Sequence, residues 1–339
     1  MSEKMYPSIS IIIPTLNSER TLEACLKSIR SQKYPKDIEI IIADGGSTDA
    51  TLLIAGKYKA TIVKNNLKTG EAGKAVGYKA SNGEIVGFID SDNVLPESDW
   101  LQKIITPFID DGEVVASEPV YFVYRENDHW LTRYFALLGM GDPVNLFIGW
   151  YDKYSYITNR WTGINIKTED KKDYFSFYLE KNIPTIGANG FFVRKNKLLR
   201  YSVKDYLFDI DVLKALSKNS RVKVAKVKIG IIHLFSGDIN TFIRKQKRRI
   251  KDYLFFNKHG LRVGDVDGGM VYRGIVKFVM STVLILPLLV QALIGYLRKK
   301  DVVWLFHPVA CWLTLLVYVM ETIKSPFIKG IYNREGWKQ

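Results

Sequence analysis

Two rhythms of apolar residues alternate through the N-terminal third of the chain. Short, mostly apolar runs at residues 9–13, 38–43, 61–63 and 84–89 read as buried strands. Between them lie stretches with a helical period, such as Leu22, Cys25, Leu26 and Ile29, which share one face from about Ser18 onward. A helix opened by Gly70-Glu71-Ala72-Gly73-Lys74 runs to about Ser81, and Ser47 or Thr48 is placed to cap the one after the second strand. Strands that are apolar throughout belong to parallel sheets covered on both faces, so the alternation predicts an α/β domain.

Further along, residues 113–116 and 120–124 read as strands, residues 128–140 as a helix, and residues 222–232 as one or two strands leading to His233. Residues 141–184 follow neither period. They are rich in aromatics, among them Trp150, Tyr151, Tyr154, Tyr156 and Trp161, whose faces suit a sugar ring, a core or lipid headgroups alike, and form a candidate binding surface. Residues 242–251 put Phe242, Ile243, Gln246 and Ile250 on one face and cations on the rest, as in a helix lying on a membrane. Residues 278–297 and 302–320 then carry no charge. Each is long enough to cross hydrocarbon, and Arg298-Lys299-Lys300-Asp301 forms the turn of a helical hairpin. Cations on the outer flanks outnumber those in the turn, which places the N-terminal α/β domain on the cytoplasmic side. A pair of buried soluble helices is the other reading.

The net charge of +14 suits nucleic acid, anionic lipid or phosphorylated substrates. The cations cluster around the apolar segments, which favours lipid and disfavours nucleic acid. The two cysteines, Cys25 and Cys311, fit no metal-ligand spacing and read as packed thiols. The N-terminal residues lack an apolar signal core.

The chemistry gathers where strands end. Asp90 and Asp92 follow the fourth strand, and Asp44-Gly45-Gly46-Ser47-Thr48-Asp49 follows the second. Open α/β sheets bind ligands outside these carboxyl ends. Spacing of i and i+2 on extended backbone puts both carboxylates on one side, where they suit a divalent ion bridging to phosphate; a turn or a helix cap is the other use. No Gly-x-Gly-x-x-Gly follows the first strand, and Gly73-Lys74 is followed by Ala75, so neither a dinucleotide fold nor a phosphate loop is indicated.

Ile11-Ile12-Ile13-Pro14-Thr15-Leu16-Asn17, then Asp44 to Asp49, then Phe88-Ile89-Asp90-Ser91-Asp92, in that order and spacing, resemble the family 2 inverting glycosyltransferases of GT-A fold. The likeness covers roughly residues 8–256. It implies a GT-A type nucleotide-sugar-binding domain with a mixed, mostly parallel sheet flanked by helices, to which the apolar pattern adds a C-terminal transmembrane hairpin. The expected division is residues 1–235 for catalysis, 236–273 for a basic interface helix and linker, 274–323 for two spans, and 324–339 for a basic tail. By the resemblance, Pro14, Thr15, Asn17 and Glu19 border the nucleotide and Asp44 faces the base. Lys74 is directed to the diphosphate. Asp90 lies by the ribose, Ser91 is among the substrate-binding residues, and Asp92, with Asp90 and His233, holds Mn²⁺ or Mg²⁺. Gly45 stands where the family often has a second acid.

Gly187-Ala188-Asn189-Gly190 resembles a turn beneath the acceptor, and Asp209 aligns with the general base, with Asp211 as the alternative. Gln246 and Arg249 match a Gln-x-x-Arg-Trp element of cellulose-synthase-like enzymes, with Ile250 in place of its Trp. The implied activity is metal-dependent transfer of a sugar, mannose from GDP-mannose ahead of UDP-glucose, to a hydroxyl of a polyprenyl-linked sugar. The rivals are a polyprenyl-phosphate glycosyl synthase, a UDP-sugar-dependent polysaccharide or glycolipid transferase, and a silent nucleotide-binding scaffold.

Overall fold

The computed structural model describes residues 6–179, 183–187, 189–198, 206–207, 213–214, 216–217, 221–235, 237–258 and 267–324. Its described residues divide into two units. The first runs to Tyr121 and resumes over Ile166–Leu234; the second comprises Phe122–Asn165 and the chain from Phe235 on.

The first unit is one mixed sheet with helices. Four parallel strands, β1 (Ile9–Thr15), β2 (Ile38–Asp44), β3 (Thr61–Lys64) and β4 (Ile85–Phe88), lie in the order β3-β2-β1-β4. The isoleucines of β1 and β4, with Ile40, Ile41 and Ile42 of β2, are buried on both faces, whereas Ile62 on the edge strand β3 is exposed. Helices α1 (Glu19–Arg30), α2 (Thr51–Lys57) and α3 (Gly70–Ala80) connect them. The α3 helix lies close against β1. A Cβ on Gly77 would stand 2.3 Å from the Ile12 side chain, so that contact requires glycine. Thr69 caps α3 by accepting a hydrogen bond from the Ala72 N–H.

Beyond β4 the sheet turns antiparallel. It continues through β9 (Phe191–Arg194), β6 (Val114–Val123), β10 (Lys223–His233), β8 (Tyr174–Tyr178) and β7 (Glu169–Asp170), with the two-residue β5 (Asn93–Val94) paired to β10. Residues 113–124, read as two strands, form one strand that carries Pro119, and residues 223–233 also form one. Helix α4 (Trp100–Asp110) precedes β6. A buried ion pair crosses the sheet: Lys226 on β10 donates to Glu118 on β6, both inaccessible to solvent.

The second unit has its own core. Helix α5 (Trp130–Leu138), α6 (Val144–Ile148), Tyr151 and Ile157 pack with Phe235, Phe242, Trp304 and Ala310. The chain does divide at residue 235, but residues 122–165, expected in the catalytic domain, belong to this second unit because they bury their aromatics here. Helices α7 (Lys195–Leu198, of the first unit) and α8 (Ile239–Lys258) complete the numbering up to the apolar segments.

Those segments are not two straight spans. Residues 278–297 fall on two helices, α9 (Gly268–Leu284) and α10 (Leu286–Arg298), that meet at 95°. The break is at Ile285, whose φ is 61°. Pro287 cannot donate a backbone bond back into the preceding turn, which explains a helix end there. After a single 3₁₀ turn, helix α11 (Phe306–Ile323) follows, and Val302–Ile323 is the one described helix long and apolar enough to cross a membrane unaided.

Candidate functional site

Neighbouring strands β2, β1 and β4 point the same way, so their carboxyl ends form one edge, which collects Asp44, Thr15 and the turn that carries Asp90. Asp44 is buried, and its carboxylate is occupied. Oδ1 accepts from the hydroxyls of Thr15 (3.0 Å) and Ser47 (2.6 Å), and Oδ2 from the N–H groups of Gly46 and Ser47. Asp44 thus shapes the loop that follows β2. Ser47 serves this carboxylate and does not cap α2, where Asp49 accepts from the Thr51 N–H.

The β1 and β2 loops are knitted together. Asn17, with φ of 52°, donates from its N–H to the Ser47 hydroxyl and accepts from the Thr48 N–H. Glu19 accepts from the Ala50 N–H, and its own N–H donates to Asp49. Pro14 lies against α3, where a Cβ on Gly73 would come 2.9 Å from its ring.

The acidic motif lies on a turn, not on extended backbone: the Asn93 N–H donates to the Asp90 carbonyl at 2.9 Å. Strand pairing then brings in the imidazole. Asn93 is registered with His233 across β5 and β10, and His233 Nε2 lies 3.2 Å from Asp92 Oδ2. The Leu234 N–H donates to the Asp92 carbonyl. Ser91 is buried, its hydroxyl on that of Ser18 at 3.1 Å. Burial pushes the Asp90 carboxyl up from its ordinary value; Lys74 and His233 oppose that shift and Asp92 adds to it. Lys74, itself buried, stands 5.7 Å from the centre of the Phe88 ring.

Sequence reasoning missed Asn93 and Asn189. The Asn93 side chain accepts from the Asp90 N–H at 3.1 Å and donates to Asn189 Oδ1 at 2.9 Å, tying the acidic turn to the turn before β9. Asn189 holds φ of 60°, a conformation asparagine tolerates better than most residues. Their only sequence signal was position: one directly after Asp92, the other inside the Gly-Ala-Asn-Gly turn. Asn93→Ala should lower turnover roughly 10–100-fold, as loss of supporting partners does around metal and catalytic groups. Steady-state kinetics beside a melting curve would check this; unchanged kcat removes the positioning role.

The donors Asp90, Asp92 and His233 supply two carboxylates and an imidazole. That chemistry fits a divalent cation that takes its remaining ligands from phosphate oxygens. Among the described residues no three such side chains converge into a closed cation site, and the Asp92–His233 pair is its nearest part. Asp209 and Asp211 lie outside the described residues. In the second unit, Gln246 and Arg249 both donate to the Gly141 carbonyl, and Gln246 is fully buried.

Comparison with known proteins adds to this geometry. The sequence model of "Glycosyl transferase family 2" matches residues 10–199, more than half of the chain. Glycosyltransferase AglE of Haloferax volcanii is 28% identical over 160 residues, covering 42% of this chain and 52% of the relative. The UDP-Glc:alpha-D-GlcNAc-diphosphoundecaprenol beta-1,3-glucosyltransferase WfaP of Escherichia coli is 33% identical over 154 residues, covering 44% and 57%. The chain thus spans little more than half the length of either. In fold it is similar to mannosyltransferase PcManGT from Pyrobaculum calidifontis, solved with GDP-Man and Mn²⁺, with a TM-score of 0.53, 14% identity, and coverage of 94% of this chain and 88% of that one.

Proposed function

The chain belongs to glycosyl transferase family 2 and is a glycosyltransferase of GT-A fold, and we propose that it moves a sugar from a nucleotide-sugar donor to a hydroxyl of a lipid-linked sugar acceptor. The observation that supports this reading is the edge formed by the ends of β2, β1 and β4, which carries the Thr15–Asp44 pair and the acidic turn, with His233 3.2 Å from Asp92. Pro14, Asn17 and Glu19 border the nucleotide, Lys74 is directed to the diphosphate, and Ser91 supports the turn. Asp92, with Asp90 and His233, would hold Mn²⁺ or Mg²⁺; the ion supplies Lewis-acid neutralisation of the leaving diphosphate. Mn²⁺ in the mannosyltransferase of similar fold is in keeping with this donor set.

The acceptor class is supported by the name of WfaP, which acts on a sugar diphosphoundecaprenol. GDP-mannose is our first donor, from the resemblance of the layout to lipid-linked mannosyltransferases, and a UDP-sugar is the second, from WfaP. Gln246 and Arg249 are assigned to substrate only by resemblance; their contacts within the second unit hold α8 to residue 141. The exposed apolar helices and the surrounding cations support attachment to a membrane, with the basic side toward the cytoplasmic leaflet.

Asp209 takes the proton of the acceptor hydroxyl as that oxygen attacks the anomeric carbon and the nucleoside diphosphate departs, inverting the centre. A phosphate acceptor is already an anion and needs no base. Asp209→Asn should therefore lower kcat on the order of 10²–10⁴-fold, with nucleoside-diphosphate affinity nearly unchanged by calorimetry. Donor hydrolysis and transfer would be screened with GDP- and UDP-sugars. Normal turnover of Asp209→Asn with a bare polyprenyl phosphate would establish the synthase reading in place of this one.

A further inference from the structure

The apolar helices of the second unit do not have the geometry of spans. Helix α9 has 17 residues and α10 has 13, about 25 and 20 Å at 1.5 Å per residue, each short of the roughly 30 Å of hydrocarbon. They meet at 95°, so the pair turns back at Ile285. The apex is bare: Leu284 is 61% exposed and Leu286 67%.

The far end of that pair is held to residues outside the apolar helices. Arg298, closing α10, donates to the carbonyls of Tyr156 (3.0 Å) and Ile157 (2.7 Å). Asp301 accepts from Arg133, Nη2 lying 2.6 Å away, and from the Tyr124 hydroxyl at 3.1 Å. These partners lie in Phe122–Asn165, whose longest helix has nine residues and cannot cross a bilayer. The Arg298–Asp301 turn is therefore on the side of the bilayer where this segment lies. A hairpin of two spans would put it on the other.

Helix α11 is tied down at both ends too. The Phe306 ring lies 5.8 Å from that of Phe242 on α8, the Tyr318 hydroxyl donates to Gln246, and Lys251 is 3.3 Å from Glu321. On α8, residues 242 to 251 span only about 14 Å. That stretch carries Arg244, Lys245, Lys247, Arg248, Arg249 and Lys251, too many cations to enter hydrocarbon, where each costs several kcal/mol. A helix whose two ends both touch so short a cationic stretch cannot have one end at each membrane face.

We propose that the second unit is seated in a single leaflet of an anionic bilayer, with the bend at Ile285 as its deepest point, and that none of its described helices crosses the membrane. The inference rests on the membrane attachment proposed above and goes beyond it by excluding a span. The occupant is a phospholipid leaflet because the exposed leucines of α9 and α10 adjoin Arg273, Lys277, Arg298, Lys299 and Lys300, the pairing of apolar face and cations that anionic lipid surfaces bind.

The test uses the full chain in sealed membrane vesicles of one orientation. Glu126→Cys, Lys299→Cys and Lys324→Cys each place a thiol at an exposed position; the native Cys25 and Cys311 are buried and set the background. All three should react with a membrane-impermeant maleimide from the same face. Lys299→Cys protected until detergent is added would restore the hairpin; Lys324→Cys alone protected would make α11 a span. Either overturns the proposal. Flotation with vesicles of phosphatidylcholine and phosphatidylglycerol tests attachment itself. The chain should float, and Leu286→Asp at the apex should lower partitioning about tenfold or more. If the chain stays at the bottom of the gradient, the attachment fails, and an oligomer in that fraction would identify a second copy as the occupant. If Leu286→Asp floats like the parent, the apex is not the inserted point.

Discussion

Asp92→Asn should abolish metal-supported transfer while leaving the fold intact. Asparagine keeps the size of the side chain, can still hydrogen-bond His233, and leaves the Asp92 carbonyl in place to accept the Leu234 N–H. What it removes is the negative charge that a divalent ion needs from its ligand. A metal that neutralises a leaving diphosphate contributes several kcal/mol, so turnover should fall about 10²–10⁴-fold. Calorimetry should show loss of the metal-dependent part of nucleoside-diphosphate binding. The melting temperature should change little. Full activity of Asp92→Asn, or of the parent in chelator, would remove the metal from this site.

Lys226→Ala should be among the most destabilising single changes in the first unit. Lys226 and Glu118 have no solvent exposure, and Glu118 also accepts from the Gly187 N–H at 3.1 Å. Removing the ammonium leaves a carboxylate buried without its charge partner, at a cost of about 3–5 kcal/mol. The paired change Lys226→Met with Glu118→Met replaces both charges by apolar groups of similar bulk and should recover most of that loss. Chemical denaturation of the three proteins would check this. If the single and the double variants are equally unstable, lost packing rather than the lone charge sets the cost.

The parallel half of the fold was legible because its strands are apolar runs with a turn behind them, a pattern that burial on both faces demands of β1, β2 and β4, while β3 at the edge is exposed. The antiparallel half was less so. Strand β6 contains Glu118 and Pro119, which read as a break, yet the glutamate is neutralised within the sheet by a lysine distant in sequence. The acids of the site were visible as residue types, but their backbone was not. Asn93 pulls Asp90 and Asp92 into a turn by hydrogen bonds that no period in the sequence encodes. Residues 278–297 satisfy any count of apolar residues, and only the left-handed Ile285 shows that they form no single helix. Phe122–Asn165 joined the second unit for a related reason: its aromatics find their partners in residues far along the chain.

The antiparallel joints β4–β9 and β5–β10 carry a consequence for biogenesis. The carboxylate of Asp92 and the imidazole of His233 are separated by 141 residues. At 5–20 residues per second, a ribosome takes roughly 7–28 s to travel from one to the other. For the earlier part of that interval, until Phe191–Arg194 is made, β4 has emerged beside β1 but lacks β9, its other neighbour, so a hydrophobic strand edge stands open. The nascent chain therefore carries a sticky edge until its second half arrives, and contacts this distant close slowly. Chaperone capture and translation speed through that stretch should govern the yield of folded enzyme more strongly than its final stability does.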